Sequence, residues 1–298
     1  MKSEPNVLGI DHPVIAAREL ERACHVYERL GFTLSPRGQH PWGTANHLIM
    51  FQRDFIELLG VYDPVLLSQE ISPNSQVYSG FVRDFLARRE GFSLMALHSD
   101  DIERDQQRVE ARGLEGARRI EFRRAVVLPD GGQDEAVVSL AMLIQPAYPN
   151  LSTFICQQHK PQLVWVPAWC EHPNKADGIR GVTYVADEPD AVTGYYQALY
   201  GAERVHRTMS GLEVNTPNGI ITILSSAVVG SRYPEFEGLL PAPEDRPCGI
   251  AISVHTQDLN AAMDCLVRAG VPFVRSRENT VRVGPEQAYG IVLELVGD

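Results

Sequence analysis

The sequence predicts an α+β chain built from βαβββ modules, repeated and paired, and three observations predict it. A short apolar run with strand character precedes an amphipathic helix at four places along the chain. A glycine stops each helix, at Gly31, Gly113, Gly201 and Gly270. Three further strand-like runs follow each of these glycines, separated by turn-forming or charged residues.

In the first module, residues 7–15 alternate as a strand, and residues 19–30 place Leu20, Ala23, Val26, Tyr27 and Leu30 on one helical face. Runs at 32–35, 45–51 and 54–61 complete it. A second module starts at Gly91, with a strand at 92–98, a helix at 101–112 and strands at 119–128, 136–144 and 151–156. The third has a strand at 181–186, a helix at 189–200 and strands at 203–208, 212–216 and 219–224. Pro217-Asn218-Gly219 joins the last two as a hairpin turn. In the fourth, a strand at 249–255 and a helix at 258–269 lead to strands around Phe273 and Val281 and at 291–296.

Connectors separate the modules. Residues 62–90 carry an amphipathic helix near 78–89, residues 157–176 are rich in Pro and Trp, and residues 227–247 are rich in Pro. The middle connector is the expected boundary, giving domains at 1–160 and 178–298 with a linker at 161–177.

Composition sets the outer limits. A chain of 298 residues, 44% apolar and 22% charged, suits two folded domains with real cores. Its net charge of −11 disfavours nucleic acid and anionic membrane surfaces as partners. The basic stretch Arg118, Arg119, Arg123 and Arg124 is a local exception, read as a solvated strand face or an anion-contacting edge. Five scattered cysteines without a C-x-x-C pair read as reduced and structural. The opening MKSEPNVLGID lacks an apolar leader core, and no run approaches the roughly 18 apolar residues a membrane helix needs, so a cytoplasmic location is expected. Nucleophile-elbow, Walker and Rossmann motifs are missing from the sequence, which removes the main support for serine-hydrolase or nucleotide-dependent chemistry.

The opening LGIDHPVIAARELERACHVYERLGF, the loop GQHPWGTANHLIMF and the run DFIELLG resemble the glyoxalase-like branch of the vicinal-oxygen-chelate superfamily. That superfamily includes glyoxalase I, bleomycin-resistance proteins and extradiol ring-cleaving dioxygenases. The loop residues that carry the likeness are Gly38, His40, Pro41, Gly43, Thr44 and Asn46. The first 60 residues match well and the later modules match in layout. The resemblance implies that two modules close into a glyoxalase-like cup, with metal ligands on the first and last strands of each module. Carried over, those positions are His12 and Glu57 in the first module.

An imidazole and a carboxylate on adjoining strands can meet a divalent ion at about 2.0–2.2 Å. His12, flanked by apolar residues and followed by Pro13, also reads as a core or turn histidine. Glu57 is the sharper signal, because a carboxylate inside FIELLG is costly to bury without a cation or hydrogen bonds. The positions equivalent to His12 are Leu94, Val182 and Ala251; those equivalent to Glu57 are near Cys156, Thr222 and Glu294, the last in GIVLELV. Pairing the first module with the fourth would converge His12, Glu57 and Glu294 as three metal ligands. Sequential pairing, first with second and third with fourth, is preferred because consecutive elements usually lie side by side.

Other histidines have competing roles. His98 and His255 each end a strand before a helix, where capping explains them, with His98 as a reserve ligand. His40 and Asn46 read either as substrate contacts or as braces of their loop, while His47 points the other way by strand alternation. His159 and His172 read as boundary packing or as part of a lid.

The leading reading is an enzyme of the lyase, isomerase or dioxygenase type acting on a small oxygenated substrate. In it a divalent ion (Zn, Fe, Mn, Ni or Mg) sits at His12 and Glu57, Glu57 moves a proton, and His40 and Asn46 contact the substrate. A second reading is a binding protein without turnover, similar to the bleomycin-resistance proteins. In a third, the C-terminal modules stabilise the fold or a homodimer.

Overall fold

The computed structural model describes residues 8–298 apart from 115, 237, 240 and 278, so Val7 of the first expected strand lies outside the described residues. The first module comprises β1 (Ile10–Ala16), α1 (Leu20–Arg29), β2 (Gly38–Gln39), β3 (Thr44–Met50) and β4 (Phe55–Val61). A connecting helix, α2 (Ser75–Arg88), leads to the second module: β5 (Gly91–His98), α3 (Ile102–Glu110), β6 (Arg118–Val127), β7 (Gln133–Leu143) and β8 (Thr153–Gln158). The third contains β9 (Ala176–Ala186), α4 (Thr193–Tyr200), β10 (Val205–Thr208), β11 (Gly211–Asn215) and β12 (Ile220–Ser225). After the one-turn α5 (Val229–Arg232) come β13 (Cys248–Thr256), α6 (Leu259–Ala269), β14 (Val274–Arg277), β15 (Thr280–Val283) and β16 (Val292–Val296).

The first two modules share one eight-stranded sheet ordered β2-β3-β4-β1-β5-β8-β7-β6. The last two share a second sheet, β10-β11-β12-β9-β13-β16-β15-β14, with the same order of parts. Antiparallel pairs β1–β5 and β9–β13 join the modules edge to edge, so pairing is sequential. One face of each sheet carries helices, and residues of α1, α3, α4 and α6 meet strand residues of both sheets in one continuous core. The opposite face of the first sheet encloses a separate cluster under α2, which presses Tyr78, Val82 and Phe85 into the cup.

Local chemistry explains most boundaries. Leu20, Ala23, Cys24 and Tyr27 bury one stripe of α1. Gly31 then takes φ +88, and a Cβ there would lie 2.9 Å from the Cβ atoms of both Asn174 and Cys265, so glycine is required twice over. Asp101 caps α3 through the Arg104 N–H, and Asp258 caps α6 through the Asn260 and Ala261 N–H groups. Two expectations need correction. Residues 32–35 form no strand, because Ser35 instead exchanges hydrogen bonds with Leu48 through its backbone N–H and its hydroxyl oxygen. The expected helix at 189–200 opens as a 3₁₀ turn at Pro189–Val192 and becomes α-helical only from Thr193.

Polar clasps bind the halves of the chain. Asn218, at the β11–β12 turn, accepts the Ile10 N–H and donates to the Ile10 carbonyl, both at 2.8 Å. Asp54, between β3 and β4, accepts the Ile179 N–H at 2.9 Å. Burial, opposed by the Ile179 N–H and by the Asn218 amide at 3.4 Å and reinforced by nearby Asp11, pushes the Asp54 carboxyl up to about 7. The folded protein therefore holds this proton more tightly than the unfolded chain. The associated stability is full below about pH 4 and disappears as pH rises to about 7, a loss of a few kcal/mol. Denaturant unfolding at pH 5 and pH 8 should show this fall, and Asp54→Asn should flatten it. An equal fall in the variant would show that another group is responsible.

Candidate active site

β1 and β4 run parallel, with Val14 opposite Glu57, so His12 and Glu57 both face into the first cup. Each is only 4% exposed. His12 Nδ1 lies 2.5 Å from Asp11 Oδ1, and His12 Nε2 lies 3.5 Å from Glu57 Oε2. Asn46 Nδ2 donates to the other Glu57 oxygen at 2.6 Å. Beyond it, His40 Nε2 sits 3.4 Å from Asn46 Nδ2 and 4.0 Å from Glu57 Oε1, while His40 Nδ1 faces Thr44 Oγ1 at 2.8 Å. Flat aromatic contacts fix both imidazoles: His12 stacks on Phe55 and His40 on Trp42.

The two histidines differ in charge for physical reasons. Burial opposes a charged His12, but the Asp11 and Glu57 carboxylates overcome it and hold the ring up to about 9. Burial dominates at His40, where Glu57 only partly offsets it, and brings that ring down to about 4. A neutral His40 with its proton on Nδ1 toward Thr44 can accept the Asn46 N–H on Nε2. Glu57 itself is held below the ordinary carboxylate value: desolvation opposes its charge, but His12, His40 and Asn46 stabilise it. Asp11 is lowered similarly against its burial, by His12 and then His98.

The site has two compartments. An inner cavity of about 40 Å³ is lined by His12, Glu57 and Asn46 among aromatic walls that include Trp42, Tyr78 and Phe154. A cleft of about 430 Å³ opens beside it, and His40, Leu48 and Arg124 border both spaces. Trp42 Nε1, Asn46 Oδ1 and Gln158 Oε1 line the inner cavity as buried polar atoms with no partner among the described residues. Such atoms are costly unless a ligand or solvent satisfies them.

The structure separates the sequence-derived candidates. His12, Glu57, His40 and Asn46 meet in this cup. Glu294 does not join them: it lies on β16 of the second sheet, where Arg282 Nε donates to it at 3.0 Å and the Ser253 hydroxyl at 2.5 Å. His98 braces Asp11 at 3.1 Å, and His255 makes the corresponding clasp to Asp177. The buried His172 accepts the Thr33 N–H and bonds the Met50 carbonyl, tying the middle connector to the first module; His159 faces Ser139. In the third module Thr222 pairs with Thr183, so the position matching His12 is Gly181, one residue before Val182. His47 is on the back of β3, where His47, Glu21 and Cys24 place one donor atom each within 4.8 Å of the others. Burial raises the Cys24 thiol to about 12, which opposes the thiolate that a soft metal site would need.

Sequence reasoning missed Asp11, Trp42, Tyr78, Phe122 and Arg124 as cavity or support residues. Part of the signal was present. Ile120, Phe122, Arg124 and Val126 alternate on β6, which puts Arg124 on an apolar inward stripe.

In chemistry, the donors suit a divalent ion. Asp11 on His12 Nδ1 is the usual backing for a metal-bound imidazole, and Thr44 orients His40 Nε2 toward the same carboxylate. In module two Leu94 is apolar, and the strand register puts Phe154, two residues before the expected Cys156, at the position matching Glu57; Cys156 also lines the cavity, but burial raises its thiol well above the ordinary value.

The family model described as a glyoxalase-like domain matches residues 10–200, and the chain belongs to that family. No curated protein matches the sequence. A hypothetical protein from Staphylococcus aureus is similar in structure, with TM-score 0.64 and 12% identity over 97% of this chain and 99% of that one. So is a triple mutant of 4-hydroxymandelate synthase from Streptomyces coelicolor, with TM-score 0.59 and 11% identity over 98% and 92%. A xylose isomerase-like TIM barrel/4-hydroxyphenylpyruvate dioxygenase fusion protein gives TM-score 0.58 and 12% identity over 98% of this chain and 49% of that one. At these identities the likeness is one of fold. Among the described residues no helix is long and apolar enough to cross a membrane.

Proposed function

We propose that the first cup is the active site of an enzyme acting on a small oxygenated molecule, with His12 and Glu57 holding a divalent metal ion. One observation carries the reading: the buried chain Asp11–His12–Glu57–Asn46 ends in a cavity with partnerless polar atoms, beside an open cleft. A core has no structural need for so many ionisable groups, and their arrangement matches what catalysis requires. His12 Nε2 and a Glu57 oxygen would hold the ion, with His40 Nε2 the nearest further nitrogen. Zn, Fe, Mn, Ni and Mg all accept this donor chemistry.

Such an ion supplies Lewis acidity toward a carbonyl or enolate oxygen. With Asn46 on Oε1, Glu57 Oε2 is the oxygen that would accept a proton whenever it is not holding the ion. The free Asn46 Oδ1 offers an acceptor to a substrate hydroxyl. Two of the similar structures are named for a synthase and a dioxygenase, which supports an enzymatic over a sequestering role. The apolar Leu94 and Phe154 favour the second reading, a cup that binds without turnover.

Metal analysis of the full chain, purified without chelator from supplemented medium, tests the proposal. About one equivalent per chain is expected for a site of this kind. Metal-free protein that also fails to take up manganese, zinc or iron would leave only the binding reading.

A further inference from the structure

We infer that the ligand of the first cup is a small monocarboxylate and that the Arg124 guanidinium holds its charged end. The inference rests on the cup being the binding site proposed above, and it adds the substrate class. Arg124 borders both the cleft and the inner cavity. Its neighbours on β6 are engaged: Arg123 pairs with Glu135 at 2.8 Å, and Arg119 donates to Gln106. Arg124 makes no hydrogen bond or ion pair among the described residues, although it is half-buried. Burial opposes its charge, with Glu57 only partly compensating.

Room for this guanidinium is built in. A Cβ at position 38 would run into both Arg124 Nη1 and Asn46 Oδ1, so Gly38 keeps the Arg124 side chain beside the site. Arg37 and Arg123 also line the cleft, but each is paired with a carboxylate, Glu21 and Glu135, so Arg124 is the cleft arginine without an ion pair among the described residues. A planar carboxylate can take two parallel N–H bonds from one guanidinium. A phosphate dianion fits less well, because one arginine must offset it while the Glu57 carboxylate repels it. The small inner cavity suits the oxygenated end of such an acid, and the cleft suits its body.

Trp42 lines the inner cavity, so tryptophan fluorescence reports occupancy. The full chain, chelator-treated, would be titrated with acetate, pyruvate, benzoate and phenylacetate, with their methyl esters, and with inorganic phosphate. At least one acid should saturate below about 10 mM, and its ester and phosphate should bind at least about tenfold more weakly. Arg124→Gln should weaken that acid by about tenfold or more, and Arg124→Lys should restore part of the loss. Equal binding of acid and ester, preference for phosphate, saturation by no acid, or an unchanged Arg124→Gln titration would each overturn the inference. Melting curves confirm that the variants fold, and the lysine variant decides the matter if the glutamine variant does not. Repeating the titration with manganese separates the two ideas: acid binding that follows Arg124 without metal sustains this inference even where the metal reading fails.

Discussion

On the metal reading proposed above, Glu57→Gln should empty the site and abolish any metal-dependent turnover while leaving the first cup folded. The amide keeps an oxygen that can accept the Asn46 N–H, at present 2.6 Å from Glu57 Oε1, so that contact survives. What disappears is the charge facing His12 Nε2 and the oxygen available as a base. Metal content should fall from about one equivalent to background, and any metal-dependent rate by about 10²–10⁴-fold. Stability should fall by only about 1–3 kcal/mol, because His12 keeps Asp11 as its partner. A purely structural Glu57 predicts another pair of results: no metal in the wild type, and a loss of about 3–5 kcal/mol from breaking a buried ion pair. Metal content and denaturant unfolding on the same two proteins separate these outcomes. Stoichiometric metal that persists unchanged in the variant would remove Glu57 from the site.

Arg282→Met should be the most destabilising single change in the second sheet. Arg282 and Glu294 are each 3% exposed. The guanidinium donates to Glu294, to both Glu235 oxygens and to the Arg232 carbonyl, and it lies 4.7 Å above the Tyr233 ring. Without it, Glu294 keeps the Ser253 hydroxyl and the more distant Arg232, a poor exchange for a buried carboxylate. The expected cost is about 3–5 kcal/mol in urea unfolding. The double variant Arg282→Met, Glu294→Leu should recover the part owed to the fully buried carboxylate, while the less buried Glu235 still lacks its guanidinium. A double variant as unstable as the single one would mean that the pair is not what ties these residues together.

The module grammar was legible because strand alternation, helical periodicity and stopping glycines are local signals. Gly31 illustrates this: its left-handed conformation follows from its place after an apolar helical stripe. Residues 32–35 were misread for the opposite reason, since their partner is Leu48 and a tertiary contact decides their conformation. His12 and Glu57 could be singled out because polar residues in apolar runs are costly. Asp11 could not be recognised as a support, because β-sheet alternation alone does not reveal that it turns to meet both His12 and His98. Glu294 carried the same sequence signal as Glu57. Only the partner distinguishes them: Arg282, twelve residues away on the adjoining strand, neutralises one carboxylate, while the other meets histidines at a cavity.

The Asn218 clasp makes the two halves of the molecule mechanically dependent. The strand it grips begins at Ile10, two residues before His12, and the shared helical core backs that strand along its length. Loosening the third module would remove both hydrogen bonds at the base of β1, two residues from His12. The C-terminal half thus fixes the base of the strand that carries His12, while among the described residues none of its side chains lines the inner cavity. Mutations far from the cup, around the 217–219 turn, can change its performance without altering a single residue that lines it.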